Sequence, residues 1–380
     1  MYRLLLGHDN FSALTNVRES TSVQQKLLQH TLCMSTSLEL VAFRGVHNFE
    51  AKLLSPYLTR YGMDSEGKPR LLVDLNKGHT FDCGLLANRS FVIAEKDSLV
   101  PGAGQDRVVY QTGYLAETLA KIHAANSVQI AAIAAHADPD GHCLVHAISR
   151  AITGTQLFWH PLREAIKAHL HENLTKYRQA NRKRKIQDKY NFFEFFELKI
   201  SIRSKLLVNY IEDSEWPLII DEADPYYLSD GATLGLRNVH VFALANVLKR
   251  PIMLLDSTSG MENVGDYSAT FLPILVGPSD CRDKHNKTHP PIAIAWASRA
   301  RNHFIPILPV VNQASPADEM ILPSQLVPPV WLASQDDLAD YVSYRQLANG
   351  TRGIPLGGGI HFTDRYLAKL ITSMRAGNPT

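Results

Sequence analysis

The sequence predicts an α/β (α+β) fold, a small mixed sheet packed between helices. Three observations lead there. Helical periodicities alternate with short apolar strands between residues 114 and 255, which is the pattern of layered helices and sheet. Residues 291–311 read as two strands around a six-residue polar or small turn, a late hairpin. Of 380 residues, 45% are hydrophobic and 20% charged, a balance that supports a large core and excludes a wholly disordered chain.

Taken in order, residues 1–40 are rich in Ser, Thr and Gln and weakly periodic, a poorly specified N-terminal segment. Residues 41–126 form a lobe with a helix at 52–61, turns at Gly62 and at Gly67-Lys68-Pro69, a strand at 70–73 and a second helix at 114–125. The central region, 127–311, opens with a buried strand at 128–135 that runs into Asp138-Pro139-Asp140-Gly141. A helix at 143–153 follows, stopped by Gly154. A longer helix starts near His160 with Pro161 in its first turn, and Leu162, Ile166, Leu170, Leu174 and Tyr177 recur on one face. Residues 181–205 break that pattern and read as an insertion: Arg182-Lys183-Arg184-Lys185 precedes Phe192-Phe193-Glu194-Phe195-Phe196. A helix at 235–250, closed by Pro251, a strand at 252–255 and the hairpin strands 291–296 and 303–311 complete the region. Residues 312–380 are a proline-rich and then helical extension, with helices at 335–347 and 364–374.

Charge is nearly balanced, 39 Lys+Arg against 37 Asp+Glu. Residues 176–205 are the exception, with ten basic and three acidic side chains among six Tyr/Phe, the composition of a nucleic-acid contact but more often of a solvated face. Nucleic acid is accordingly an unfavoured partner. The four cysteines, Cys33, Cys83, Cys143 and Cys281, form no Cys-x-x-Cys pair. They read as free thiols of a reducing compartment, cytosol or nucleus, with no metal and no cofactor expected. No apolar run approaches the ~20 residues of a membrane span, and Leu4-Leu5-Leu6 stops too soon at His8 for a signal peptide.

Cys143 stands at a helix start, where unpaired N–H groups favour a thiolate. Gly141 before it permits a tight turn whose N–H groups can converge on an oxyanion. Cys143 is also readable as a small buried hydrophobe. A cysteine hydrolase needs an imidazole, and His303, opening a strand at the mouth of the hairpin, is the best placed of sixteen histidines; a solvent-facing strand-end histidine is the alternative. His142 and His146 sit too close in sequence to the thiol.

Asp140-Gly141-His142-Cys143-Leu144-Val145-His146-Ala147 resembles the nucleophile motif of the OTU (ovarian-tumour) cysteine deubiquitinases, and Asn302-His303-Phe304-Ile305-Pro306 resembles their histidine strand. To one member the likeness runs on from about residue 50 to the C-terminus, through Arg60-Tyr61-Gly62-Met63-Asp64 and Gly235-Leu236-Arg237-Asn238 among others, and this chain corresponds to the N-terminal part of that longer protein. The resemblance implies an OTU-type cysteine protease fold with the nucleophile at a helix N-terminus, and a catalytic domain at 127–311. It implies Cys143 as nucleophile, His303 as base and Asp140 as an active-site aspartate shaping the oxyanion loop of Gly141 and His142. The position two after the histidine, often an acid or Asn in the family, is Ile305, so the imidazole-orienting group comes from elsewhere; Asn302 and Asp106 are the candidates. The implied partners are ubiquitin, polyubiquitin chains and an AAA ATPase, in the cytoplasm, the nucleus or at the cytosolic face of the endoplasmic reticulum and Golgi. The competing reading is a ubiquitin- or ATPase-binding module that has lost catalysis.

Overall fold

The computed structural model describes Ser55, Pro56 and residues 110–357 apart from 111, 127–129, 154–155, 157, 198–210, 230–232, 234, 263–266, 284, 312–318 and 348–349; within 183–197 it describes the backbone alone. The segment 1–40, the rest of the helix expected at 52–61, the strand at 70–73, Cys33, Cys83, Asp106 and the helix at 364–374 lie outside the described residues.

The elements, in chain order, are α1 (Ala116–Ala125), β1 (Ile130–Ala134), α2 (Cys143–Thr153), α3 (Trp159–Glu197), α4 (Trp216–Ala223), α5 (Asn238–Val247), β2 (Ile252–Leu255), α6 (Thr258–Glu262), β3 (Ala269–Phe271), β4 (Ile292–Trp296), β5 (Phe304–Val311), β6 (Ile321–Pro323), β7 (Val330–Trp331), α7 (Gln335–Tyr341), β8 (Arg345–Gln346) and β9 (Arg352–Pro355). Among the described residues six strands make a sheet in the order β1-β5-β4-β2-β3-β7, and three make a small sheet, β6-β9-β8. The larger sheet is mixed: β4 runs parallel to β2 and β7 to β3, and the other pairs are antiparallel.

Side chains alternate across a strand, and here both faces are buried. Ile252 and Leu254 of β2 and Ile292 and Ile294 of β4 join the core beneath α2–α5, while Met253, Leu255, Ala293 and Ala295 face α1, α7 and the small sheet. Two-sided burial explains why these strands read as continuous apolar runs. On the first face, α5 is buried from Val239 to Asn246, a helix enclosed on all sides rather than amphipathic. Its His240 is locked in place: Nδ1 accepts from the Arg237 backbone N–H at 2.8 Å and Nε2 lies 2.8 Å from the Ile219 carbonyl.

At least six elements depart from the sequence reading. The helix of α3 does not stop at residue 181 but continues, through a non-helical Asn173, to Glu197. Apolar periodicity lapses there in the sequence, while the helical backbone runs on. Helix α7 ends at Tyr341 instead of 347, because Val342 is extended and the chain turns into β8. Helix α4, with Pro217 in its first turn, was not anticipated, nor were the strands of two to four residues that build the small sheet. Among the described residues no helix is long and apolar enough to cross a membrane.

Candidate active site

Strand β1 lies at the sheet edge beside β5, and its ladder continues one step further, Ala135 N–H donating to the Pro306 carbonyl at 2.9 Å. Residues 136–142 then cross to the head of α2. Arg150 of α2 reaches back to hydrogen-bond the His136 carbonyl, so the crossing is tied to the helix it feeds. Gly141 has φ +84°, and a Cβ there would lie 2.7 Å from the Thr233 carbonyl oxygen; both conformation and space require glycine.

Asp140 organises the turn. Its Oδ1 accepts from the His142 backbone N–H at 3.1 Å, and both carboxylate oxygens lie 3.1 Å from Nε2 of His146, which is fully buried one turn along α2. His146 therefore faces the turn that precedes Cys143. His142 stacks on Trp159, ring centroids 4.4 Å apart, and its Nδ1 lies 2.5 Å from Nη1 of Arg163.

Cys143 is the first residue of α2 and 4% exposed. Burial pushes its thiol up. Hydrogen bonds to the backbone of Phe304, Leu144 and Cys143 itself work the other way, and the charge of Asp140 adds to the rise. The contact with Phe304 brings the start of β5 against the head of α2, and His303 is the preceding residue. Burial, then the neighbouring His136, holds the His303 imidazole below its ordinary value, against a hydrogen bond to the backbone of Ala137 and the charges of Asp138 and Asp140. The ring of Tyr110 lies 6.1 Å from that of His303. Both shifts favour the uncharged forms, thiol and neutral imidazole.

The histidine's loop is braced from below. Arg301, at φ +52°, donates from Nε to Oδ2 of the fully buried Asp256 at 2.8 Å, and its guanidinium lies 4.0 Å from the centre of the Tyr267 ring. Tyr114 also donates to Asp256.

Of the residues singled out from sequence, Asp140, Gly141, His142 and Cys143 share one turn, and His303 meets it through Phe304. Asn302 is exposed in the hairpin turn. The groups that shift His303 include His136, the Ala137 backbone, Asp138 and Asp140; a main-chain partner leaves no residue-type signal, whereas Asp138 lay in view beside Asp140. Arg163 was also missed. Its signal was a charge on the apolar face, in helical register with Ile166 and Leu170.

Residues 138–286 match the family described as OTU-like cysteine protease. Residues 8–127 match a family described as VCIP135 N-terminal. Over 354 residues the chain is 41% identical to proteins named deubiquitinating protein VCPIP1 of Homo sapiens and of Mus musculus. That match takes in 93% of this chain, Cys143 and His303 included, and 26% of each relative, so the chain spans about a quarter of their length. A solved structure, that of the OTUD1 OTU domain, is 17% identical, with a TM-score of 0.27 over 50% of this chain and 90% of that one.

Proposed function

We propose that the OTU domain of this chain is a deubiquitinating thiol hydrolase that cleaves the isopeptide bonds of ubiquitin and polyubiquitin. The observation that carries this reading is the packing of α2, whose first residue is Cys143, against β5, whose first residue follows His303. In the first half-reaction His303 takes the thiol proton as Sγ attacks the carbonyl carbon of the isopeptide. The tetrahedral oxyanion is met by the N–H groups at the head of α2, and the proton passes to the departing lysine amine. Water, deprotonated by the same imidazole, then hydrolyses the thioester. Asp140 holds the turn, and the Ala137 backbone with Asp138 orients and polarises the imidazole in the role first given to Asn302 or Asp106.

The name of the relatives supports the valosin-containing-protein AAA ATPase as a partner, and the free thiols Cys143 and Cys281 support a reducing compartment: cytoplasm, nucleus or the cytosolic face of endoplasmic reticulum and Golgi. The test is a ubiquitin probe with a C-terminal electrophile. It labels the wild-type protein at Cys143 and leaves Cys143→Ala unlabelled; labelling of the variant at the wild-type level would assign the chemistry to another thiol. His303→Ala lowers turnover by ~10² to 10⁴ with ubiquitin binding retained.

A further inference from the structure

We infer that Arg163 is a positioning residue of the nucleophile turn, acting through the Gly141–His142 peptide and the His142 ring; the inference rests on the thiol-hydrolase reading and deepens it. Arg163 is fully buried on α3. From Nη1 it donates to the Gly141 carbonyl at 3.3 Å and lies 2.5 Å from His142 Nδ1. Its Nε donates to the Ala223 carbonyl at 3.4 Å, and Nη2 donates to that of Glu222. Burial lowers its pKa to about 10, so it remains a cation at neutral pH.

A guanidinium has five donors and no acceptor. His142 Nδ1 must therefore present its lone pair, which leaves the ring neutral with its proton on Nε2. Such a ring has no free lone pair, so His142 cannot serve as the general base. The Gly141–His142 peptide is held at both ends as well, its carbonyl by Arg163 and its N–H by Asp140. A flip of that peptide would break both bonds. The other end of the guanidinium binds the last carbonyls of α4, groups without partners inside their own helix. Thr233, in the segment that follows α4, packs on Gly141. One side chain thus fixes the turn and the wall behind it.

The test uses the 380-residue protein as wild type, Arg163→Lys, Arg163→Met, His142→Phe and the double variant Arg163→Lys/His142→Phe. Two quantities are read: kcat and KM on a fluorogenic C-terminal amide of ubiquitin, and the pH profile of iodoacetamide alkylation at the Cys143 peptide. Lysine keeps the charge without the fork. Arg163→Lys is expected to lower kcat roughly 10- to 100-fold with KM within about twofold, leaving the alkylation profile in place, while Arg163→Met moves that profile to higher pH. The double variant loses no more than the worse single variant, because both act through one contact. A wild-type kcat in Arg163→Lys, a loss confined to KM, or additive losses in the double variant overturns the inference. Where the Arg163 variants lose cooperative melting, His142→Phe decides alone, and an unchanged kcat there overturns it. Failure of the wild type on both the ubiquitin amide and the electrophilic probe would instead remove the thiol-hydrolase reading. Arg163 is then judged by alkylation, a Met profile equal to wild type counting against it.

Discussion

Cys143 and His303 are displaced from their ordinary titration in opposite directions, the thiol up and the imidazole down. A base works only when neutral, and a lowered imidazole pKa keeps it neutral further into acid. The acid limb of kcat/KM is therefore expected below about 6.5, the ordinary histidine value; a midpoint at or above it would contradict the geometry around His303. Asp138→Asn removes a negative charge that raises the imidazole and moves the limb lower still. Gly141→Ala should cost roughly 1–2 kcal/mol for the left-handed backbone alone, more with the contact to Thr233, and should depress probe labelling. Thermal melting alongside labelling measures both. At this scale the sequence exposed what chemistry marks by residue type: a glycine, a thiol, an aspartate, a strand-end imidazole. The Ala137 backbone and the buried Arg163 went unread because one has no side-chain signature and the other only a helical register.

Among elements, α3 shows how far periodicity can be trusted. Packing reaches Asn181, which is buried and donates from Nδ2 to the Ile211 carbonyl at 2.7 Å, and the exposed Arg182 pairs with Asp213 at 2.8 Å. The boundary drawn at 181 thus falls inside the packed helix. Joining Arg182 to residue 210 through a short polar linker is expected to leave labelling at Cys143 unchanged, whereas a cut before Asn181 should lower the melting temperature. The hairpin was legible from its two apolar runs, but its brace was not, since Asp256 and Arg301 are 45 positions apart. Arg301→Ala takes the cation from a buried carboxylate that keeps its hydrogen bonds from Tyr114 and the Ser257 N–H, and should cost about 3 kcal/mol, read from the urea midpoint; Asp256→Asn should cost less.

Across the whole molecule, the layered architecture was readable because strands β2 and β4 are apolar on both faces. The small sheet was not, since two to four residues are too few to show a period. The same burial sets the response to acid. His240 is held down to about 3, and His169 and His289 to about 4, chiefly by burial. Folded values lie below the unfolded value near 6.5, so the unfolded chain takes up protons first. The stability these rings confer is complete above about 6.5 and drains away as pH falls toward 4. The urea midpoint should be lower at pH 5 than at pH 7.5, before carboxylates titrate; equal midpoints would contradict their burial as neutral rings.

The register of β1 with β5 joins Ile130 to Val311 and Ala134 to Ile307, more than 170 positions apart. That pairing lays β5 beside the crossing that leads to Cys143, and nothing nearer in sequence supplies the histidine. During synthesis Cys143 emerges from the ribosome long before His303, and closing so distant a pair is slow. On the thiol-hydrolase proposal the growing chain carries an idle thiol, and competence is a late event, when β5 slots between β1 and β4.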